Sequence, residues 1–158
     1  ELKRKIRRIE QNADFTTGDL NSIDQKEEII NEFFRLHKIS SSEKKTFMTT
    51  KMEKFFTDLI IKMLSEDSLL YSYLKIENKT VACSISFRYA NVRFLYNSGF
   101  DPSYNNFSSG LLNHAFAIKR SIEDKIEVFD FMRGNERYKY DLGAVDKMLY
   151  TFQIEKNV

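Results

Sequence analysis

Apolar residues recur at two different periods along this chain. From Ser22 to about Lys38, Ile29, Ile30, Phe33, Phe34 and His37 keep the three-and-four spacing of one helix face. Ser22 followed by Gln25 has capping-box spacing and predicts where that helix opens. Thr50 with Glu53 repeats the signature ahead of a continuous stripe, Met52, Phe55, Phe56, Leu59, Ile60, Met63 and Leu64. The period then drops to two. Residues 69–76 read as a strand, Asn78-Lys79 as a turn, and Val81, Cys83, Ile85, Phe87 and Tyr89 alternate strictly. Ala90-Asn91 turns the chain into a third strand over 92–100, which completes an antiparallel meander. A polar loop over 101–109 precedes a helix from Gly110 to about Asp124, with Leu111, Leu112, Ala115, Ile118 and Ile122 on one side. A short strand is expected over 126–132, a loop or helical turn over 133–144, and a last strand over 147–154. At the front, 1–11 reads as a basic helix around Leu2, Ile6 and Ile9, followed by a short strand near Phe15 that ends near Gly18.

This order of elements is α+β: a mixed central sheet, meander plus a parallel pair, flanked by helices. The crossover from 92–100 through a helix to 126–132 should make those two strands parallel, right-handed neighbours. With 158 residues the chain fits one domain. It opens on Glu1 rather than Met and is expected to be part of something longer. Apolar residues make up 42%, enough for a core and too many for a disordered chain. The 25 basic and 23 acidic residues nearly cancel, which argues against DNA and, beyond the first helix, against tRNA. The longest stretch without an acidic or basic residue other than histidine, 102–118, carries Asn, Ser and His, so no membrane span is expected and the cytoplasm is the default compartment. Cys83 is the one cysteine and reads as core.

Two segments could carry chemistry. Four of the five glycines and the one proline lie between Gly99 and Gly143, so irregular backbone concentrates there. In the loop 101–110, Ser108, Ser109 and Gly110 open a helix whose unpaired N–H groups and positive dipole end suit an anion. The same serines also suit a plain helix cap. The second segment, 128–141, sets Asp130 in an apolar strand close to Arg133, Glu136, Arg137, Tyr138, Lys139, Tyr140 and Asp141. A carboxylate there must be paired or functional, and an ion pair with Arg133 or Lys139 is expected. His37 and His114 lack carboxylate–histidine spacing, and no metal site is expected.

Taken together, the chain resembles a GNAT-fold acyltransferase domain of the cellulose-biosynthesis (CelD-like) or Fem-like acetyltransferase subgroup. The resemblance runs through Lys3-Arg4-Lys5-Ile6-Arg7-Arg8, Phe34-Arg-Leu-His37, Gly99-Phe-Asp-Pro-Ser-Tyr104 and Ser108-Ser-Gly110. It is strongest over Phe129-Asp-Phe-Met-Arg-Gly-Asn-Glu-Arg-Tyr-Lys139. Such a family implies an acyl-CoA donor, usually acetyl-CoA, lying where the strands 92–100 and 126–132 splay apart. Its pyrophosphate would rest on the helix beginning at Ser109-Gly110. Asn105, Ser108 and Gly110 occupy the places of the superfamily's phosphate loop, with only the last glycine retained.

The implied chemistry is acyl transfer to an amine. By the resemblance, Glu136 or Asp130 would take the amine proton, and backbone N–H groups near Asn97, Ser98 and Gly99 would stabilise developing negative charge. Tyr138 or Tyr140 would return a proton to the leaving thiolate, and Lys139 would orient Asp130 or an anionic substrate. A small-molecule or cell-envelope amine is the implied acceptor, and a second GNAT-like domain or a second copy is a possible partner. Two other readings stand beside this one: a Fem-type transferase using aminoacyl-tRNA, and a degenerate domain that binds without catalysing.

Overall fold

The computed structural model describes residues 1–155. Helix α1 (Leu2–Asn12) leads into β1 (Phe15–Leu20), which runs two residues past Gly18. A 3-10 turn at Ile23–Gln25 opens with the predicted capping box, the Gln25 side chain accepting from the Ser22 N–H at 3.2 Å. It continues into α2 (Lys26–Ser40), then the short α3 (Ser42–Phe47), which the sequence reading did not contain, and α4 (Thr50–Ser65). The α4 cap is Thr49 rather than Thr50: its backbone is extended and its hydroxyl accepts from Met52 N–H. The meander follows as β2 (Leu69–Ile76), β3 (Lys79–Tyr89) and β4 (Val92–Phe100). A 3-10 segment (Pro102–Phe107), α5 (Ser109–Glu123), β5 (Val128–Asp130) and the one-turn α6 (Arg137–Asp141) complete the described elements.

The strands lie in sequence order, β1-β2-β3-β4-β5. The first four are antiparallel, and β5 runs parallel to β4, as the crossover requires. Two expectations fail. The strand expected over 126–132 shrinks to three residues, and residues 147–154 form no strand. Alternation marks a segment able to pair, but strand structure needs a partner edge. Residues 144–155 meet none, and Val145 and Ile154 stay 89% and 95% exposed.

Alternation in β3 places opposite faces against different helices. Cys83 and Ile85 pack with Phe33 and Leu36 of α2 and Phe56 and Ile60 of α4. Ala82 packs with Ile9 of α1 and Leu112 of α5. Between β4 and α5 lies Arg93, fully buried, whose guanidinium donates to Asp19 at 2.9 Å and to Ser72 at 2.6 Å. Arg120 of α5 donates to the same carboxylate at 2.9 Å. Burial alone would raise the Asp19 pKa, but the two guanidinium groups outweigh it and hold the carboxyl below its ordinary value. This cluster ties β1, β2, β4 and α5 together and fixes the helix against the sheet.

Candidate active site

The β4–β5 ladder ends at Phe94↔Asp130, while β4 continues to Phe100. Tyr96 adds to the divergence: Ile85 pairs with Asn97 and Ser86 with Leu95, so one β4 residue bulges out. A cavity of about 370 Å³ opens beside the far half of β4. Lys44 and Cys83 line it from the α2–α4 face, and Leu111 and His114 from the α5 face. Ser98, Gly99 and Phe100 form its strand wall, with Asn105, Ser108, Gly110 and Tyr138 around them. It therefore joins the two faces of the sheet.

Gly99 is needed for this closeness. A Cβ there would sit 2.5 Å from the Leu36 carbonyl carbon, so α2 can approach β4 only at a glycine. The approach brings Ser40 and Lys44 to the open edge of β4. Phe100 N–H donates to Ser40 Oγ at 2.8 Å, and Lys44 Nζ donates to the Ser98 carbonyl at 2.6 Å. The Ser98 N–H is held by Asn97 Oδ1 at 2.7 Å, which removes it from the free donors expected over Asn97 to Gly99.

At the α5 end, Ser108 adopts left-handed backbone (φ 55°) and its side chain does not cap the helix. Its hydroxyl instead accepts from Lys5 Nζ of α1 at 2.6 Å. A helix N-terminus already carries partial positive charge, and an ammonium brought against it adds to that charge rather than balancing it. The Glu1 carboxylate, 3.7 Å from Lys5 Nζ, is the nearest counter-charge. An oxyanion between the α5 N–H groups and Lys5 would satisfy both, so these residues fit a pyrophosphate. Ser109 is buried with its hydroxyl unpartnered among the described residues, and Gly110 faces the Phe100 ring, where a Cβ would come to 3.3 Å.

Two titratable rings meet inside. His114 of α5 is 5% exposed, its Nδ1 has no hydrogen-bond partner among the described residues, and it stacks on Tyr138 with centroids 5.2 Å apart. Burial, helped by Lys44 and Arg93, holds the imidazole down to about 4, so it is neutral at neutral pH. Burial, with the Glu136 carboxylate nearby, pushes the Tyr138 phenol up to about 12, so it keeps its proton. Cys83 is likewise pushed up to about 12 by burial and remains a thiol, not a nucleophile.

Of the residues singled out from sequence, Ser98, Gly99, Asn105, Ser108, Gly110 and Tyr138 line the cavity; Asn97, Ser109, Asp130, Glu136 and Lys139 do not. The expected ion pair of Asp130 is absent among the described residues. Its carboxylate accepts the Met132 N–H at 2.6 Å, and Met132 takes positive φ there (58°). Lys139 is buried and serves its own loop, donating to the Arg133 and Gly134 carbonyls at 2.8 and 3.2 Å and pairing with Glu136 at 2.8 Å. That hydrogen bond lowers the pKa of Glu136, an exposed carboxylate. Tyr140 points elsewhere, donating to Asp146 at 2.8 Å. The sequence reading missed Lys44, Lys5 as a site residue, and His114. No helix among the described residues is long and apolar enough to cross a membrane.

Solved structures share this fold. An aminoglycoside acetyltransferase from an uncultured soil metagenomic sample, in complex with sisomicin, aligns with TM-score 0.60 at 14% identity, over 94% of this chain and 99% of that one. A GCN5-related N-acetyltransferase from Ralstonia eutropha JMP134 aligns with TM-score 0.62 at 14% identity, over 89% and 99%. The aminoglycoside N-acetyltransferase AAC(6')-Iy, in complex with a bisubstrate analogue of CoA and acetylneamine, gives 0.59 at 14%, over 91% and 99%. No curated protein matches the chain. The family model described as acetyltransferase (GNAT) domain matches residues 1–140, most of the chain, and the chain belongs to that family.

Proposed function

We propose that this GNAT acetyltransferase domain moves an acetyl group from acetyl-CoA to the nitrogen of an amine. The observation that carries the reading is the cavity at the β4–β5 splay. It connects an uncapped helix N-terminus, reinforced by Lys5, to a buried neutral imidazole stacked on a protonated phenol. Ser108, Ser109, Gly110 and Lys5 would hold the pyrophosphate. Acetyl-CoA supplies an acyl group bonded to a good leaving thiolate. In the balanced reaction, a protonated amine and a thioester give an amide, a free thiol and one proton. The new C–N bond uses the amine lone pair, and the C–S pair leaves with sulfur.

His114, rather than Glu136 or Asp130, lines the cavity, and in its neutral form it is placed to accept a hydrogen bond from the attacking amine and orient it, the released proton passing to water. Tyr138 is placed to donate to the departing sulfur. Gly99 N–H, on the strand wall, is the donor proposed for negative charge on the carbonyl oxygen. Placement in the CelD-like or Fem-like subgroup rests on the 129–139 segment. Aminoglycosides are the acceptors named for some neighbours, and a small-molecule amine is the acceptor class proposed here.

Calorimetric titration with acetyl-CoA and CoA tests the donor site. Wild type should bind, and Lys5→Glu should weaken binding at least tenfold, about 1.4 kcal/mol, with the thermal midpoint unchanged. A folded wild type that binds neither compound would refute the donor site and favour a binding domain without catalysis.

A further inference from the structure

We propose that Lys44 selects the acceptor: the amine acetylated here carries an anionic group, a carboxylate or phosphate, beside an apolar body. This rests on the acetyl-transfer reading above and goes beyond it to the substrate class. Lys44 projects from α3 into the cavity that Ser108 and Gly110 also line. Its ammonium is fixed on the Ser98 carbonyl at 2.6 Å, and among the described residues no carboxylate lies within salt-bridge distance of it. No residue lining the cavity is acidic. Burial lowers the Lys44 pKa, the response of a cation held without a counter-anion.

Such a cavity favours a ligand that brings the missing charge. A carboxylate or phosphate placed against Lys44 gains a charge-assisted hydrogen bond. A polycationic amine meets like charge with no acid to offset it, and the same cation disfavours the protonated form of any incoming amine. The body of the acceptor has a wall to rest on. Phe47, three residues along α3, and Phe55 and Tyr96 on the same face are all exposed and are linked through Phe56.

The test follows thiol release from acetyl-CoA with matched acceptors: phenylalanine against phenylalaninamide, glucosamine 6-phosphate against glucosamine, and spermidine and sisomicin as polycations. Wild type should prefer the anionic member of a pair at least tenfold in kcat/KM, and the two pairs tell carboxylate from phosphate. In Lys44→Met the preference should fall to within about twofold while calorimetry gives an unchanged acetyl-CoA Kd. Lys44→Gln, which keeps a donor for the Ser98 carbonyl, replaces it if the methionine variant does not fold. Preference for spermidine or sisomicin overturns the proposal. So does an equal slowing of all acceptors in the variant, or no turnover of any of them by a protein that binds acetyl-CoA. Failure to bind acetyl-CoA at all instead removes the donor reading, and this one with it.

Discussion

Lowering the pH from about 7 to about 5 should cost this domain several kcal/mol through its two histidines alone. His37 is 2% exposed between Phe33 and Phe47, and His114 sits in the cavity against Tyr138. Burial holds each at about 4, with Lys44 facing both and Arg93 facing His114, against 6.5 for a solvated imidazole. The folded value is the lower one, so the unfolded chain takes up protons first. The stability that neutral imidazoles contribute is complete above about pH 6.5 and is lost as pH falls toward 4. For one site with these values, the loss between pH 7 and pH 5 is about 2 kcal/mol, and for both about 4 kcal/mol. Most carboxylate titration lies below this window and has the same sign. Urea unfolding at the two pH values, followed by circular dichroism, measures the difference. A double His37→Gln, His114→Gln variant should show most of the dependence removed, whatever its absolute stability. A wild-type loss below about 1 kcal/mol, or the same loss in the double variant, would show that these rings are not held neutral by burial.

Gly99→Ala should destabilise the fold by about 2–3 kcal/mol in urea titration, because the added Cβ meets the α2 backbone and cannot be absorbed by a side-chain rotation. Asp19→Ala leaves the buried Arg93 and the partly buried Arg120 without their carboxylate and should cost about 3–5 kcal/mol. Asp130→Ala removes one hydrogen bond to its own loop and should cost only about 1 kcal/mol, so comparable losses would contradict the assignment of the ion pair to Asp19. Tyr138→Phe keeps the ring stacked on His114 and removes its hydroxyl. It should lower kcat about a hundredfold in steady-state thiol release with an unchanged melting midpoint, and an unchanged kcat would remove the phenol from proton transfer.

What the sequence displayed and what it concealed divide along one physical line. Helices α2 and α4, the meander and the start of α5 follow from interactions between near neighbours: caps, three-and-four spacing, alternation and two-residue turns. Gly99 and the Ser108–Gly110 turn could be picked out because glycine and small polar residues mark places where backbone needs room or turns. Helix α3 carries Glu43, Lys44 and Lys45 in six residues and has no apolar period, so nothing in it distinguishes Lys44 from a solvated lysine. The same holds for Lys5 among five basic residues of α1, and for Arg93, which occupies a strand position that alternation leaves undecided.

These side chains acquire roles only across the fold. Lys44 reaches Ser98 over 54 positions, Lys5 reaches Ser108 over 103, and Arg93 reaches Asp19 over 74. A buried charge is costly alone, so its partner is part of its meaning, and a partner that far away leaves no mark on local pattern. Asp130 shows the converse error: close neighbours Arg133 and Lys139 offered an obvious pair, yet the carboxylate bonds to a peptide N–H two residues on while Lys139 holds the loop carbonyls. Residues 147–154 repeat it at the level of structure, since alternation supplies one edge of a ladder and the fold must supply the other. The polar groups that decide what this cavity accepts are therefore the ones whose identity a sequence pattern states least. Among them, Lys44 is the one left with no opposite charge among the described residues.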